Sequence, residues 1–313
     1  MLLSVVFFFA GLLLLYFGAE YLVEGSSKLA LSFGVRPLII GMTIVAFATS
    51  MPELLVTMFA AIRGSVDLAV GNVVGSNVAN IGLILGSSAL VAPLRVERSL
   101  LRRELPIMLL ASMLFWLFAL DNHLGLIEGV ILLCGLAGFI YYCLMCSKQG
   151  QIEPQSLAED VRKEQQYRRR DLFYILGGIV ALAVGAELLI KGASFIARAY
   201  GVSELVIGLS VVAFGTSLPE LAASVVSAMK GELELSVGNV IGSNIFNILF
   251  VIGLSSSIHP LPVNPQLHAF QFPVMLVIGM LLYPMLLRSQ VVKRLHGAVF
   301  VGSYLLFIAV SFS

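Results

Sequence analysis

The chain has 313 residues, with 19 Lys and Arg against 18 Asp and Glu, so its net charge of +1 selects no class of partner and gives no reason to expect nucleic acid. It is 59% hydrophobic and only 12% charged, whereas a soluble domain carries about 25% charged residues; an ordinary soluble globule is excluded. Windows of about twenty nearly uncharged residues recur along the whole length, each long enough to cross a bilayer as a helix.

In chain order the first predicted span, 3–20, opens MLLSVVFFF without a basic segment before it, and so reads as a true span and not a cleaved signal. The second, 36–62, holds FATSMPELL at 47–55, with a proline and a glutamate side by side in an apolar run. The third, 68–92, carries GNVVGSNVAN, and the fourth covers 103–120. The fifth, 124–146, carries or adjoins all three cysteines, Cys134, Cys143 and Cys146. CLMC at 143–146 has CxxC spacing, but nothing nearby supplies metal or redox partners, and apolar packing accounts for it. Residues 147–170, SKQGQIEPQSLAEDVRKEQQYRRR, are the only long polar stretch and read as a linker, partly helical. Spans six to ten follow at 171–192, 203–229, 235–257, 268–287 and 294–312.

The expected fold is therefore all-α and polytopic, with ten transmembrane helices. Continuous apolar runs without two-residue alternation exclude a porin-like barrel. With the N-terminus outside, the inner connecting segments hold sixteen Lys and Arg and the outer ones only Arg63, Lys191 and Arg198. That asymmetry places both termini outside. His123, His259, His268 and His296 fall near span ends and read as solvated.

The chain repeats itself. Adding 167 carries GAEYLVEG at 18–25 onto GAELLIKG at 185–192, and about 23 of the 50 positions from Gly41 match those from Gly208 without a gap. Residues 1–146 and 171–313 each hold five spans. Because five is odd, the second copy enters the membrane from the opposite side, giving two inverted five-helix repeats, an architecture that places sites near the midplane between the repeats.

The proline and glutamate recur as FGTSLPELA at 214–222. A proline inside a helix lacks an N–H, so Pro52 and Pro219 should release the carbonyls of Ala48 and Gly215. A lone carboxylate at mid-membrane costs at least a few kcal/mol, and such residues commonly mark ion paths. Thr49, Glu53 and Thr57 fall at i, i+4, i+8, as do Thr216, Glu220 and Ser224. In the next span of each half Asn72, Ser76 and Asn80 repeat that spacing, and so do Asn239, Ser243 and Asn247. The asparagines read as ion-lining in preference to interhelical glue. The GxxxG pairs Gly71–Gly75 and Gly238–Gly242 read as packing edges, and Glu20 and Glu187, near span ends, as interfacial charges. Oxygen ligands without thiolate or imidazole suit Ca²⁺, Mg²⁺ or alkali ions over zinc or copper. Ca²⁺ accepts about six to eight oxygens in flexible geometry, and Mg²⁺ keeps its waters.

ATSMPE with GSNVANI, and GTSLPE with GSNIFNI, resemble the paired signature repeats of the cation/calcium antiporter superfamily, in its prokaryotic sodium/calcium exchanger branch. The resemblance spans essentially the whole chain. It implies a Ca²⁺ site built from the carboxylates of Glu53 and Glu220 with the backbone carbonyls of Thr49 and Thr216. It implies sodium sites using Ala46, Thr49, Ser50 and Ser76 in one half and Ala213, Thr216, Ser217 and Ser243 in the other, with Asn80 and Asn247 lining the centre. Ala48 stands where the second repeat has Gly215 and family members commonly have glycine. Asn247 stands where potassium-dependent and some prokaryotic relatives carry aspartate. Neither glutamate lies in the GNxxE pattern of proton-coupled relatives.

The implied function is secondary active Na⁺/Ca²⁺ antiport by alternating access; H⁺/Ca²⁺ exchange on the same glutamates is the alternative. A passive channel and a membrane enzyme are the competing classes. Channels commonly build their pores by subunit symmetry, and HExxH or a Ser/His pair in a plausible context is lacking. No cofactor is expected: Ca²⁺ and Na⁺ enter as transported substrates. The lipid bilayer is the surrounding partner, a monomer suffices, and a prokaryotic inner membrane is the expected location.

Overall fold

In hydrocarbon every backbone N–H and C=O must be satisfied within the protein, and helices do this segment by segment. The structure, a computed structural model, describes residues 2–64, 66–96, 98–149, 160–200 and 213–311, and these are mostly helical. In chain order they form α1 (Leu2–Ser32), α2 (Pro37–Thr49), α3 (Met51–Ile62), α4 (Ala69–Val91), α5 (Arg98–Asp121) and α6 (Leu126–Cys146). The second half holds α7 (Asp160–Ala199), the short α8 (Ala213–Thr216), α9 (Leu218–Met229), α10 (Leu233–Ile258), α11 (Gln266–Leu287) and α12 (Arg294–Ser311). Among the described residues eight helices are long and apolar enough to cross a membrane, and the bent pair α2–α3 makes a ninth. Of the expected seventh span, 203–229, residues 203–212 lie outside the described residues, and α8 and α9 are its remainder.

Two helices outrun their predicted spans. α1 continues to Ser32 and α7 begins at Asp160, inside the polar segment 147–170. The apolar run ends earlier because hydrophobicity reports only the membrane-facing stretch. Helix continues past it where charged neighbours pair at i, i+4, as Glu24 and Lys28 do. Glu20 and Glu187 thus lie within helices and not at their ends.

The sequence repeat is also a repeat of elements. α3 and α9 occupy positions 167 apart, and so do the π-helical segments Asn80–Leu85 in α4 and Asn247–Ile252 in α10. Further along, the offset becomes 168: Asn122 (φ 64°) and Gln290 (φ 51°) are the two non-glycine left-handed residues among those described, each ending a span. Just beyond them, two-residue strands tie the halves together. β1 (Leu94–Arg95) pairs antiparallel with β4 (Val291–Val292), and β2 (His123–Leu124) with β3 (Leu261–Pro262).

α4 and α10 are the most enclosed of the membrane-length helices, with 78% and 89% of their apolar windows buried, whereas α1, α6, α7 and α12 look outward. Glycines explain two close approaches. A Cβ on Gly238 would stand 2.5 Å from the Leu38 carbonyl oxygen, and one on Gly242 would stand 2.6 Å from Met42 Cα, so α10 lies backbone-to-backbone on α2. For Gly71 and Gly75 no described atom comes within 4 Å; the repeat-equivalent partners of Leu38 and Met42, at 205 and 209, lie outside the described residues. The second approach is the seam between α1 and α7. These repeat-equivalent helices run antiparallel through Gly11, Gly18 and Gly25 against Gly185, Gly178 and the Asp171 carbonyl.

Candidate ion-binding site

The proline does not kink a continuous helix. The helix stops at Ser50 (φ −81°, ψ 2°), turns by 41°, and restarts at Met51 with Pro52 in its first turn, where a missing N–H leaves nothing unsatisfied. Ser217 (φ −86°, ψ 4°) and Pro219 make the same break before α9. Glu53 and Glu220 each fall in the first turn of the new helix. There the unpaired N–H groups and helix dipole favour a negative charge. This corrects the single stripe expected through Thr49, Glu53 and Thr57, because the break separates Thr49 from the other two.

Across the break the two halves exchange partners. Ser50 Oγ donates to Glu220 Oε1 at 3.3 Å, and Ser217 Oγ donates to Glu53 Oε1 at 3.2 Å. Both glutamates are fully buried. Ser217 Oγ also lies 3.4 Å from Ser76 Oγ. Thr49 Oγ1 shares its proton between the Ala46 carbonyl at 3.4 Å and Asn239 Oδ1 at 3.3 Å. Asn239 Nδ2 in turn donates to Ser224 Oγ at 2.8 Å and to the Glu220 carbonyl at 3.3 Å. In the first half Asn72 Nδ2 donates to Thr57 Oγ1 at 3.2 Å. Asn72 and Asn239 therefore fasten each broken helix to its neighbour.

Several oxygens are buried without a hydrogen-bond partner among the described residues: Glu53 Oε2, Glu220 Oε2, Asn80 Oδ1, Asn247 Oδ1 and Ser243 Oγ. An unpartnered buried polar atom costs about 1–3 kcal/mol, so such atoms are suited to an outside ligand. Asn247 is held in one orientation, its Nδ2 donating to Asn77 Oδ1 at 3.1 Å, whereas both amide atoms of Asn80 are unpartnered. Thr216 is buried, Ala46 is buried, and Ala213 opens α8.

Sequence reasoning missed Asn77. It is the asparagine of GSN, three residues before Asn80, and it contacts the opposite half. The repeat offset was the available signal, since Asn77 and Asn244 correspond. The π-helical turns that start at Asn80 and Asn247 were also unforeseen. Such bulges have no residue signature but occur frequently at functional sites.

Fold and site together define an integral membrane protein whose two related halves share a buried, oxygen-lined centre. A family model described as sodium/calcium exchanger protein matches residues 3–145 and 171–313. The chain is 37% identical to inner membrane protein YrbG of Escherichia coli strain K12, covering 99% of this chain and 97% of that one. It is 32% identical to sodium/calcium exchanger MaX1 of Methanosarcina acetivorans, covering 96% of each. A solved structure of the sodium-calcium exchanger NCX_Mj, soaked with Na⁺ and Ca²⁺, superposes with a TM-score of 0.85 at 33% identity, covering 99% of this chain and 98% of that one. The chain belongs to the sodium/calcium exchanger family.

Proposed function

We propose that this protein exchanges Ca²⁺ for Na⁺ by alternating access, with Glu53 and Glu220 forming one central Ca²⁺ site. The observation that carries this reading is the crossed pair of hydrogen bonds, Ser50 to Glu220 and Ser217 to Glu53, which draws both carboxylates to one inter-repeat junction. Their second oxygens have no partner among the described residues. One Ca²⁺ neutralises two carboxylates. The carbonyls of Thr49 and Thr216 complete the proposed shell, and Asn80 and Asn247 line it.

The proposed sodium sites use Ala46, Thr49, Ser50 and Ser76, and Ala213, Thr216, Ser217 and Ser243. Neutral oxygens of this kind suit Na⁺, whereas a proton needs only a carboxylate. That MaX1 and NCX_Mj are named sodium/calcium exchangers supports the choice. We also place residues 1–146 and 171–313 as inverted five-helix repeats, joined by 147–170, in an inner membrane with both termini outside. The antiparallel run of the equivalent helices α1 and α7 supports the inversion, and the name of YrbG supports the location.

The test is ⁴⁵Ca²⁺ uptake into sodium-loaded proteoliposomes at equal pH on both sides. Uptake that requires the outward sodium gradient is expected. Uptake driven by a pH gradient alone would replace this reading with H⁺/Ca²⁺ exchange on the same glutamates.

A further inference from the structure

The α1–α7 seam obeys the repeat closely. A Cβ on Gly11 would meet Leu189 N at 2.6 Å and Gly185 O at 2.7 Å; its image on Gly178 would meet Leu22 N and Gly18 O, each at 2.7 Å. Gly18 against Leu182 N and Gly185 against Leu15 N are both at 2.9 Å. Gly25 against Asp171 O at 2.8 Å is matched by Gly192 against Ser4 O at 2.7 Å. Exchanging the roles of the two repeats thus leaves this seam unchanged.

Its docking on the rest of the protein is not symmetric. α1 packs along α9, but α7 makes no comparable contact with α3. The charged groups follow the same asymmetry. Glu20 Oε1 of α1 is 3.0 Å from Lys230 Nζ, and Ser27 Oγ donates to Glu232 Oε1 at 2.7 Å. Lys230 caps the C-terminus of α9, as Arg63 caps that of α3, with nearly identical backbone angles (φ −81°, ψ −2° and φ −83°, ψ −1°). The offset carries Glu20 onto Glu187 and Lys230 onto Arg63, with both charge signs kept. Yet Glu187 pairs with Lys191 on its own helix at 2.6 Å, and Arg63 is exposed with no ionic partner among the described residues.

We propose that Glu20–Lys230 and Glu187–Arg63 are alternating latches: the first holds the α1–α7 pair against α9 in this state, and the second forms against α3 in the oppositely facing state while the first opens. Inverted repeats alternate by moving one against the other about the site, so an asymmetric contact gives way to its repeat image wherever both residues are kept in kind. The seam is its own image and persists; Glu20–Lys230 is not and must give way. Lys191, one helical turn from Glu187, holds that carboxylate while the second latch is open. This inference rests on the exchanger reading for its purpose, but its geometry is separately testable.

The test uses a parent in which Cys134, Cys143 and Cys146 are replaced by alanine and whose sodium-driven uptake is measured first. Cysteine pairs are then introduced as Glu20→Cys with Lys230→Cys, or Arg63→Cys with Glu187→Cys. Cross-linking is read by whether the halves stay joined after cleavage within 147–170, in zero Na⁺, saturating Na⁺ and saturating Ca²⁺. Each pair is expected to cross-link, the two with opposite dependence on ionic condition, and either cross-link to stop exchange until it is reduced. Arg63→Cys with Glu187→Cys failing to cross-link in every condition, or both pairs cross-linking without loss of uptake, would overturn the latch. Absence of sodium-driven uptake in the unsubstituted protein, measured alongside the parent, would instead sink the exchanger reading, and opposed cross-linking would still uphold the latch. In the non-covalent variants, Lys230→Glu is expected to move the balance of the two states by up to about fivefold, as for a partly exposed ion pair. Adding Glu20→Lys is expected to restore it.

Discussion

At the scale of single residues, two carboxylates and the serines that cross to them dominate. Glu53→Gln and Glu220→Gln each remove one of two negative charges while keeping shape and the serine hydrogen bond. Each is expected to abolish ⁴⁵Ca²⁺ uptake in proteoliposomes with little change in melting temperature; near-normal uptake by either variant would remove the shared site. Ser50→Ala and Ser217→Ala delete neutral oxygens that touch the opposite glutamate at 3.3 and 3.2 Å. Because the two contacts are repeat images, both variants should weaken apparent sodium affinity by similar factors, several-fold each, in the sodium dependence of uptake. A large loss in one and none in the other would contradict the symmetric arrangement. Asn247→Ala removes an amide that Asn77 holds in place. It should alter ion affinity more than thermal stability, and the reverse result would make this asparagine interhelical glue.

At the scale of elements, the close approach of α10 to α2 is the most exacting contact. Replacing Gly242 by leucine would drive a side chain into Met42 backbone, where even a Cβ stands 2.6 Å from Cα and carbonyl oxygen. Overpacking of this kind typically costs about 1–3 kcal/mol. Gly242→Leu is therefore expected to lower the melting temperature of the purified protein clearly, whereas Gly302→Leu, at a glycine with no described atom within 4 Å, should not. Equal effects at both positions would argue against the tight crossing. The helix breaks at Ser50 and Ser217 belong to this scale as well. They turn a proline that reads as a defect into the start of a helix, and they put each glutamate at the end where its charge is favoured.

For the whole molecule, the expected behaviour follows from the proposal that one site serves two cations. In the proposed site Ca²⁺ requires both glutamates ionised, so lowering external pH at a fixed sodium gradient should reduce uptake as protons neutralise them. The loss should appear on the acid side and reverse when pH is raised. Uptake that rises on acidification would instead fit proton-driven exchange. A polytopic helical protein, a duplicated arrangement and paired proline–glutamate motifs were all legible in the residues, because hydrophobic run length and a fixed offset are properties of the linear chain. The length of α1 was not, since its last turns, beyond the continuous apolar run, are held by the Glu24–Lys28 pair and by Leu29 and Ala30 buried against the rest of the protein.

The sequence by itself determined the membrane class, the offset of 167 and which residue types could serve a hard cation. Composition, spacing and repetition are local or linear quantities, and they need no partner to be read. Only the tertiary structure decided that Ser50 faces Glu220 and Ser217 faces Glu53, that Asn77 holds Asn247, and that Glu20 meets Lys230 while Glu187 turns to Lys191. Each of these contacts joins the two halves or chooses between two repeat-equivalent arrangements. At Glu187 the copies also differ, with Lys191 standing where the first half has Glu24. Where the two copies carry the same residues, as at Ser50 and Ser217, the sequence allows either partner, and only the packing of one half against the other selects which is made.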